Sequence, residues 1–85
     1  MAHIATPAFW DAYRKLPKDA QQLAGKSYAL LKSNPRHRSL RFKRVGDYWS
    51  VRVGRSYRAL GIDSPEGIAW FWIGTHDQYD ALIGS

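Results

Sequence analysis

Two spacings of apolar residues divide the chain. As far as Leu31 the apolar side chains recur at helical intervals. Phe9, Trp10, Tyr13 and Leu16 form one such segment, and Ala20, Leu23, Ala24, Leu30 and Leu31 form a stripe on the next, with Lys and Gln between them. Thr6-Pro7 predicts where the first helix starts, with Thr6 as N-cap and Pro7 at the first helical position. Pro17 breaks that helix and can open the second. Ser33-Asn34-Pro35 ends it, because Asn tolerates a left-handed cap and Pro cannot continue a helix. The pair reads as an αα-hairpin. Ahead of it, Ala2 to Ala5 can form a short edge strand.

From Leu40 the period changes to two. Leu40, Phe42, Trp49, Val51 and Val53 alternate with polar residues, and Tyr57 to Ile62 and Ile68 to Ile73 predict two more strands. Turn chemistry separates them at Gly46-Asp47, at Gly54-Arg55-Ser56 and at Asp63-Ser64-Pro65-Glu66-Gly67. Connections this short predict an antiparallel meander. Thr75-His76-Asp77-Gln78 is a capping-box pattern, so a short C-terminal helix should follow and bury Leu82 and Ile83. The predicted fold class is α+β: an N-terminal helical hairpin packed on a twisted antiparallel sheet, helices on one face, with a short C-terminal helix. Residues 1–85 are expected to make a single domain.

The predicted register places charge. If Gly46-Asp47 is a two-residue loop, Val45 faces Tyr48, Lys43 faces Ser50 and Arg41 faces Arg52. If Gly54-Arg55-Ser56 is a three-residue loop, Arg52 faces Arg58 and Val51 faces Ala59 on the core side. Arg41, Arg52 and Arg58 then form a row on one face, with Lys43 beside Arg41. Like charges directly opposite each other are unfavourable in a sheet, so folding alone gives no reason for the row, whereas an anion bound across it does. The competing account is that Asp77 and Asp80 of the C-terminal segment neutralise it. If Ile62 faces Ile68, Trp70 and Trp72 join this face, where a base can stack on Trp72. A one-residue change in that loop sends both into the core, the commoner fate of such tryptophans.

Composition adds three points. Thirteen Lys and Arg against seven Asp and Glu give a net charge of +6, and nine of the thirteen lie between Lys32 and Arg58, where the only acid is Asp47. Such a cluster fits a polyanion partner, and equally a solvated surface. Four Trp, five Tyr and three Phe supply large buried areas to a short chain without Cys, so no disulfide or thiolate metal site supports the fold. No apolar run approaches a membrane span and the opening residues carry no secretory h-region, so a cytoplasmic chain without a membrane partner is expected.

Among the histidines, His3 and His37 read as exposed and inert. His76 follows the last strand and is grouped with Asp77, Tyr79 and Asp80, where proton transfer is plausible for an imidazole. A local turn made by Thr75 and Gln78 explains the same stretch without chemistry. No second His has ligand spacing to His76, so no metal is expected, and no nucleophile elbow is present.

The helical hairpin followed by "LRFKRVGDYWSVRVGRSYRALG" and "IAWFWIGTHDQYDALI" resembles the RelE/ParE toxin superfamily over almost the whole chain. Its most specific pieces are the hydrophobic-Arg strand followed by Tyr57-Arg58, and the "IGTHDQYD" segment. The resemblance implies a toxin of a type II toxin–antitoxin system that cleaves mRNA on the ribosome by 2′-OH attack, without metal or other cofactor, and is silenced by a cognate antitoxin. By position it implies catalytic roles for Arg52, Arg58, His76 and Tyr79 and an RNA contact for Lys43; the strand register above adds Arg41 and Trp72 as candidate RNA contacts. The spacing of Tyr79 differs from that of the family's C-terminal tyrosine. The alternatives are a ParE-like member that inhibits DNA gyrase by binding, and an inactive member that binds only an antitoxin.

Overall fold

Thr6 acts twice where the helical segment begins. Its Oγ1 accepts from the Phe9 amide (3.3 Å) and donates to the Trp70 carbonyl (2.9 Å), so one hydroxyl caps the first helix and ties it to the last strand. The computed structural model describes residues 2–84. In chain order they form β1 (Ala2–Ala5), α1 (Pro7–Arg14), α2 (Lys18–Ser33), a 3₁₀ turn (Arg38–Leu40), β2 (Lys43–Val45), β3 (Tyr48–Val53), β4 (Tyr57–Ser64), β5 (Gly67–Thr75) and α3 (His76–Ile83). The architecture is the expected α+β arrangement. Its sheet has the order β1-β5-β4-β3-β2, antiparallel throughout the β2–β5 meander, with β1 added parallel to β5 at the edge.

The core lies between the sheet and the helical hairpin. α1 rests on β5 and α2 on β3, closing over Val51, Val53, Ala59, Ile68, Trp70 and Ile73. The α2 stripe divides on contact: Ala20, Ala24 and Leu31 are buried, while Leu23 stays 37 % exposed beside the Gly54 turn. Small residues at Ala5, Ala24, Gly25 and Ala59 leave an apolar cavity of about 150 Å³ between the helical hairpin and the sheet. α2 ends before Pro35 as expected. Asn34, however, takes φ −150°, not the left-handed cap, and its amide closes on the Leu30 carbonyl. His3 is not an inert surface residue. It is half-buried on β1, stacks on Trp70 (6.1 Å) and accepts from the indole N–H at Nδ1 (3.1 Å). Burial and the Lys32 charge lower its pKa, in keeping with a ring that must stay neutral to accept. His37 is used locally, its Nδ1 accepting from the Ser39 amide to cap the 3₁₀ turn.

The strand pairs Val45/Tyr48, Lys43/Ser50, Arg52/Arg58 and Val51/Ala59 stand as the turn residues predicted. Four features differ. First, Leu40, Arg41 and Phe42 do not extend β2. The 3₁₀ turn drives Leu40 to 1 % exposure and leaves Arg41 left-handed at φ 45°, so Arg41 does not face Arg52. Burying Leu40 contributes about 1.5–3 kcal/mol, which offsets the about 1–2 kcal/mol cost of a non-glycine left-handed residue. Second, β4 and β5 run on to a two-residue Pro65-Glu66 turn. Gly67, at φ 146°, permits this because a Cβ there would collide with the Ala2 carbonyl oxygen of the paired edge strand.

Third, neither expected register of β5 holds along its whole length. Gly61 pairs with Trp70 but Leu60 pairs with Trp72, a β-bulge that leaves Phe71 as the extra residue. Trp70 therefore enters the core, while Trp72 lies on the arginine face. Fourth, α3 packs on the face opposite α1 and α2, because its Tyr79 ring lies against Arg58. Tyr79 is the residue that α3 buries, at 4 % exposure, whereas Leu82 is 55 % exposed.

Candidate active site

The β3–β4 hairpin sets the frame. Gly54 has φ 62°, which opens the Gly54-Arg55-Ser56 loop and brings Arg52 opposite Arg58. Each guanidinium is then held by something other than its neighbour. Arg52 Nε donates to the Gly54 carbonyl (2.9 Å), curling the side chain back over the loop. Arg58 Nε donates to His76 Nδ1 (3.2 Å), and its guanidinium lies over the Tyr79 ring at 5.2 Å. Arg58 Nη1 is buried with no hydrogen-bond partner.

His76 is placed by backbone. Its amide donates to the Ser56 carbonyl (2.9 Å), pinning the first residue of α3 to the β3–β4 loop. The capping box around it is complete: Thr75 Oγ1 accepts from the Gln78 amide (3.1 Å) and Gln78 Oε1 accepts from the Thr75 amide (3.0 Å). Turn formation is thus satisfied without the imidazole, which is left for other work. Arginine has only donors, so Nδ1 must accept and the ring carries its proton on Nε2, which faces Asp80 Oδ2 at 3.5 Å. The ring stacks on Tyr79 (6.0 Å between centroids) and borders a cleft lined by Arg55, Ser56, Tyr57, Thr75 and Asp77.

The structure thus brings Arg52, Arg58, His76 and Tyr79 together. Tyr79 is buried beneath Arg58, a placement that supports the guanidinium. Lys43 is exposed on the same face, on the far side of β3. Trp72 lies on that face opposite Leu60. Arg41 sits apart, exposed beyond the end of β2. Sequence reasoning did not find Gly74. It pairs with Arg58, and a Cβ there would collide with the Trp72 indole and meet Gln78 Oε1 at 2.5 Å. A glycine inside a strand and next to a cap is the signal that marks such a close approach. On the opposite face Asp63, the one acid in a strand among the described residues, is held by Arg44 (2.6 Å) and Trp49 Nε1 (2.8 Å), which lowers its pKa. Among the described residues no three His, Cys, Asp or Glu side chains converge as a metal-binding group.

Comparison with known proteins adds the following. The family described as the ParE-like toxin domain matches residues 18–81. No curated protein matches the sequence. The fold is similar to the RelB–RelE antitoxin–toxin complex of Methanococcus jannaschii, with a TM-score of 0.68 at 17 % identity over 92 % of this chain and 96 % of that one. It is similar to the isolated E. coli RelE toxin, with a TM-score of 0.61 at 14 % identity over 94 % and 93 % of the two chains. It is also similar to the archaeal RelE–RelB complex of Pyrococcus horikoshii OT3, with a TM-score of 0.61 at 18 % identity over 86 % and 91 %.

Proposed function

The chain belongs to the RelE/ParE toxin superfamily, and on that premise we propose that it is a ribosome-dependent mRNA endonuclease. The observation that carries the reading is the hydrogen bond from Arg58 to His76 beside the Arg52–Arg58 pair. A toxin that acts only by binding has no need of an imidazole whose acceptor nitrogen is held by a phosphate-binding cation.

The chemistry follows from the contacts. A scissile phosphate arriving over β3 and β4 takes the guanidinium of Arg58 together with that of Arg52, its partner across the strands. Both stabilise the extra negative charge of the pentavalent phosphorus. Once Arg58 turns to the phosphate, His76 Nδ1 is released to accept the proton of the ribose 2′-OH. The 2′-oxygen bonds to phosphorus, the bond to the 5′-oxygen breaks, and that oxygen takes its proton from water. Tyr79 acts as a positioning residue through its ring, and Asp80 orients the Nε2–H of His76. Lys43 and Trp72 extend the RNA contact along the sheet, with Arg41 as a peripheral cation.

The solved relatives from M. jannaschii and P. horikoshii are complexes of RelE with RelB, so a cognate antitoxin is the partner proposed here too. In-vitro translation with primer extension tests the activity. Cuts in ribosome-bound mRNA are expected. Intact mRNA, with early loss of DNA synthesis and trapped gyrase in cells, overturns the reading in favour of a gyrase inhibitor.

A further inference from the structure

The arginine face does not end at its cations. Tyr48 starts β3 on the face that carries Ser50 and Arg52, and Phe71 reaches it as the extra residue of the β5 bulge. Their rings meet across the intervening β4 at 5.7 Å, with the planes tilted by 52°. Tyr48 is 37 % exposed, and the neighbouring Ile62 of β4 is 42 % exposed. Flat, accessible aromatic surface therefore stands at one end of a sheet face whose other end holds Arg52 and Arg58.

We propose that Tyr48 and Phe71 form a stacking platform for a base of single-stranded RNA that flanks the nucleotide whose phosphate is held by Arg52 and Arg58. The inference rests on the nuclease reading above and adds a subsite to it. Three observations select RNA as the occupant. Every strand residue on this face is neutral or basic, because the one strand acid, Asp63, lies on the other face and is bound to Arg44. Lys43, which pairs with Ser50, places a cation between the platform and the arginine pair. Tyr48 and Arg52 are four residues apart on one strand, about 13 Å at ~3.3 Å per residue, close enough for one short single strand to reach both. Cations tracking a backbone, with aromatic rings alongside, are the combination by which single strands are held.

The test is binding of the full chain to an uncleavable 2′-O-methyl RNA decamer, followed by fluorescence anisotropy at several salt concentrations. Tyr48→Ala and Phe71→Leu should each weaken binding by about 5- to 100-fold, the scale of one lost base stack. The slope of log K against log salt should stay unchanged, since no phosphate contact is removed. Tyr48→Phe, which keeps the ring, should bind like the wild type, with all variants melting within a few degrees of it. Arg52→Ala serves as the contrast and should flatten the slope by about 0.7. If the aromatic variants bind as tightly as the wild type while Arg52→Ala does not, the platform is overturned and the cleavage reading stands. Aromatic variants that keep RNA affinity but lose a cognate antitoxin would make the surface a protein interface and overturn the platform as well. A wild-type chain that binds no decamer also removes the platform, and cleavage on programmed ribosomes then decides the nuclease reading separately.

Discussion

Replacing His76 with Gln separates chemistry from structure at the proposed site. The structural cost can be read from the contacts. The amide bond to Ser56 and both arms of the Thr75–Gln78 capping box involve no His76 side-chain atom and survive the change. What is lost is one half-exposed imidazole acceptor for Arg58 and the facing Asp80, and a Gln amide oxygen can still accept from the guanidinium. A neutral hydrogen bond contributes about 0.5–1.5 kcal/mol net, less where solvent competes, so the melting temperature should move by only a few degrees. Loss of a general base costs about 10²- to 10⁴-fold in rate. At about 1.4 kcal/mol per factor of ten that is about 3–5 kcal/mol in the barrier, well above any loosening of the helix start. Single-turnover cleavage on programmed ribosomes, with ribosome binding measured in parallel, provides the comparison. His76→Gln and His76→Ala are both expected to bind and to cleave slowly. Wild-type rates in His76→Gln would refute the proton-transfer role and leave the imidazole as a prop for Arg58.

Three further outcomes follow from the same contacts. Arg52→Ala relieves a facing like-charge pair, so its thermal melt should stay within a few degrees of wild type while growth inhibition on expression is lost; unfolding at growth temperature, or full toxicity at normal expression, refutes its assignment. Arg58→Ala also uncovers the Tyr79 ring on which α3 rests, so its melt should fall further, and full cleavage by the variant at a temperature where it is still folded refutes the role of Arg58. Gly74→Ala should cost about 1–3 kcal/mol, seen as a lower denaturation midpoint, because its Cβ must displace the Trp72 indole and the Gln78 arm of the cap. His3 has its pKa lowered in the folded chain, so the unfolded chain binds more protons as pH falls through the ordinary imidazole value of 6.5. The stability it contributes is therefore complete above that value and is lost as pH falls from it toward the lower folded pKa; urea denaturation at several pH values should show this loss in the wild type and not in His3→Gln.

The central part of the site was legible because two glycine-containing turns fix the pairing of β2, β3 and β4. With amphipathic alternation on either side, only one loop length puts both Val51 and Ala59 inside, and Arg52 must then meet Arg58. The remainder depended on long-range packing. The bulge opposite Leu60 satisfies two conflicting phases of the Ile68–Ile73 run, with Trp70 fitting the core against Gly61 and Ile73 fitting it against Ala59, and no local signal marks where the phases change. Arg41 was misplaced because burial of Leu40 outweighed continuation of the strand, and alternation alone cannot weigh those terms. The position of α3 follows from a cation–aromatic contact between Arg58 and Tyr79, which are far apart in the chain. His76 was identified by its place in the order of elements, but its hydrogen bond to Arg58 was visible only once the strands were paired.

The parallel seam between β1 and β5 bears on how the chain folds as it is made. β1 is synthesised first of the strands, and its neighbour in the sheet is β5, synthesised last of them. Until Gly67–Trp70 has emerged, β1 has no ladder to join, Thr6 has no Trp70 carbonyl to bind, and the hairpin of α1 and α2 closes over an incomplete floor. His76 arrives directly behind β5, so the imidazole and the strand that completes the core reach the growing molecule together. A nascent chain stopped before Gly67 would therefore lack both the strand that completes the core and the imidazole of the candidate site, so one segment completes the two together.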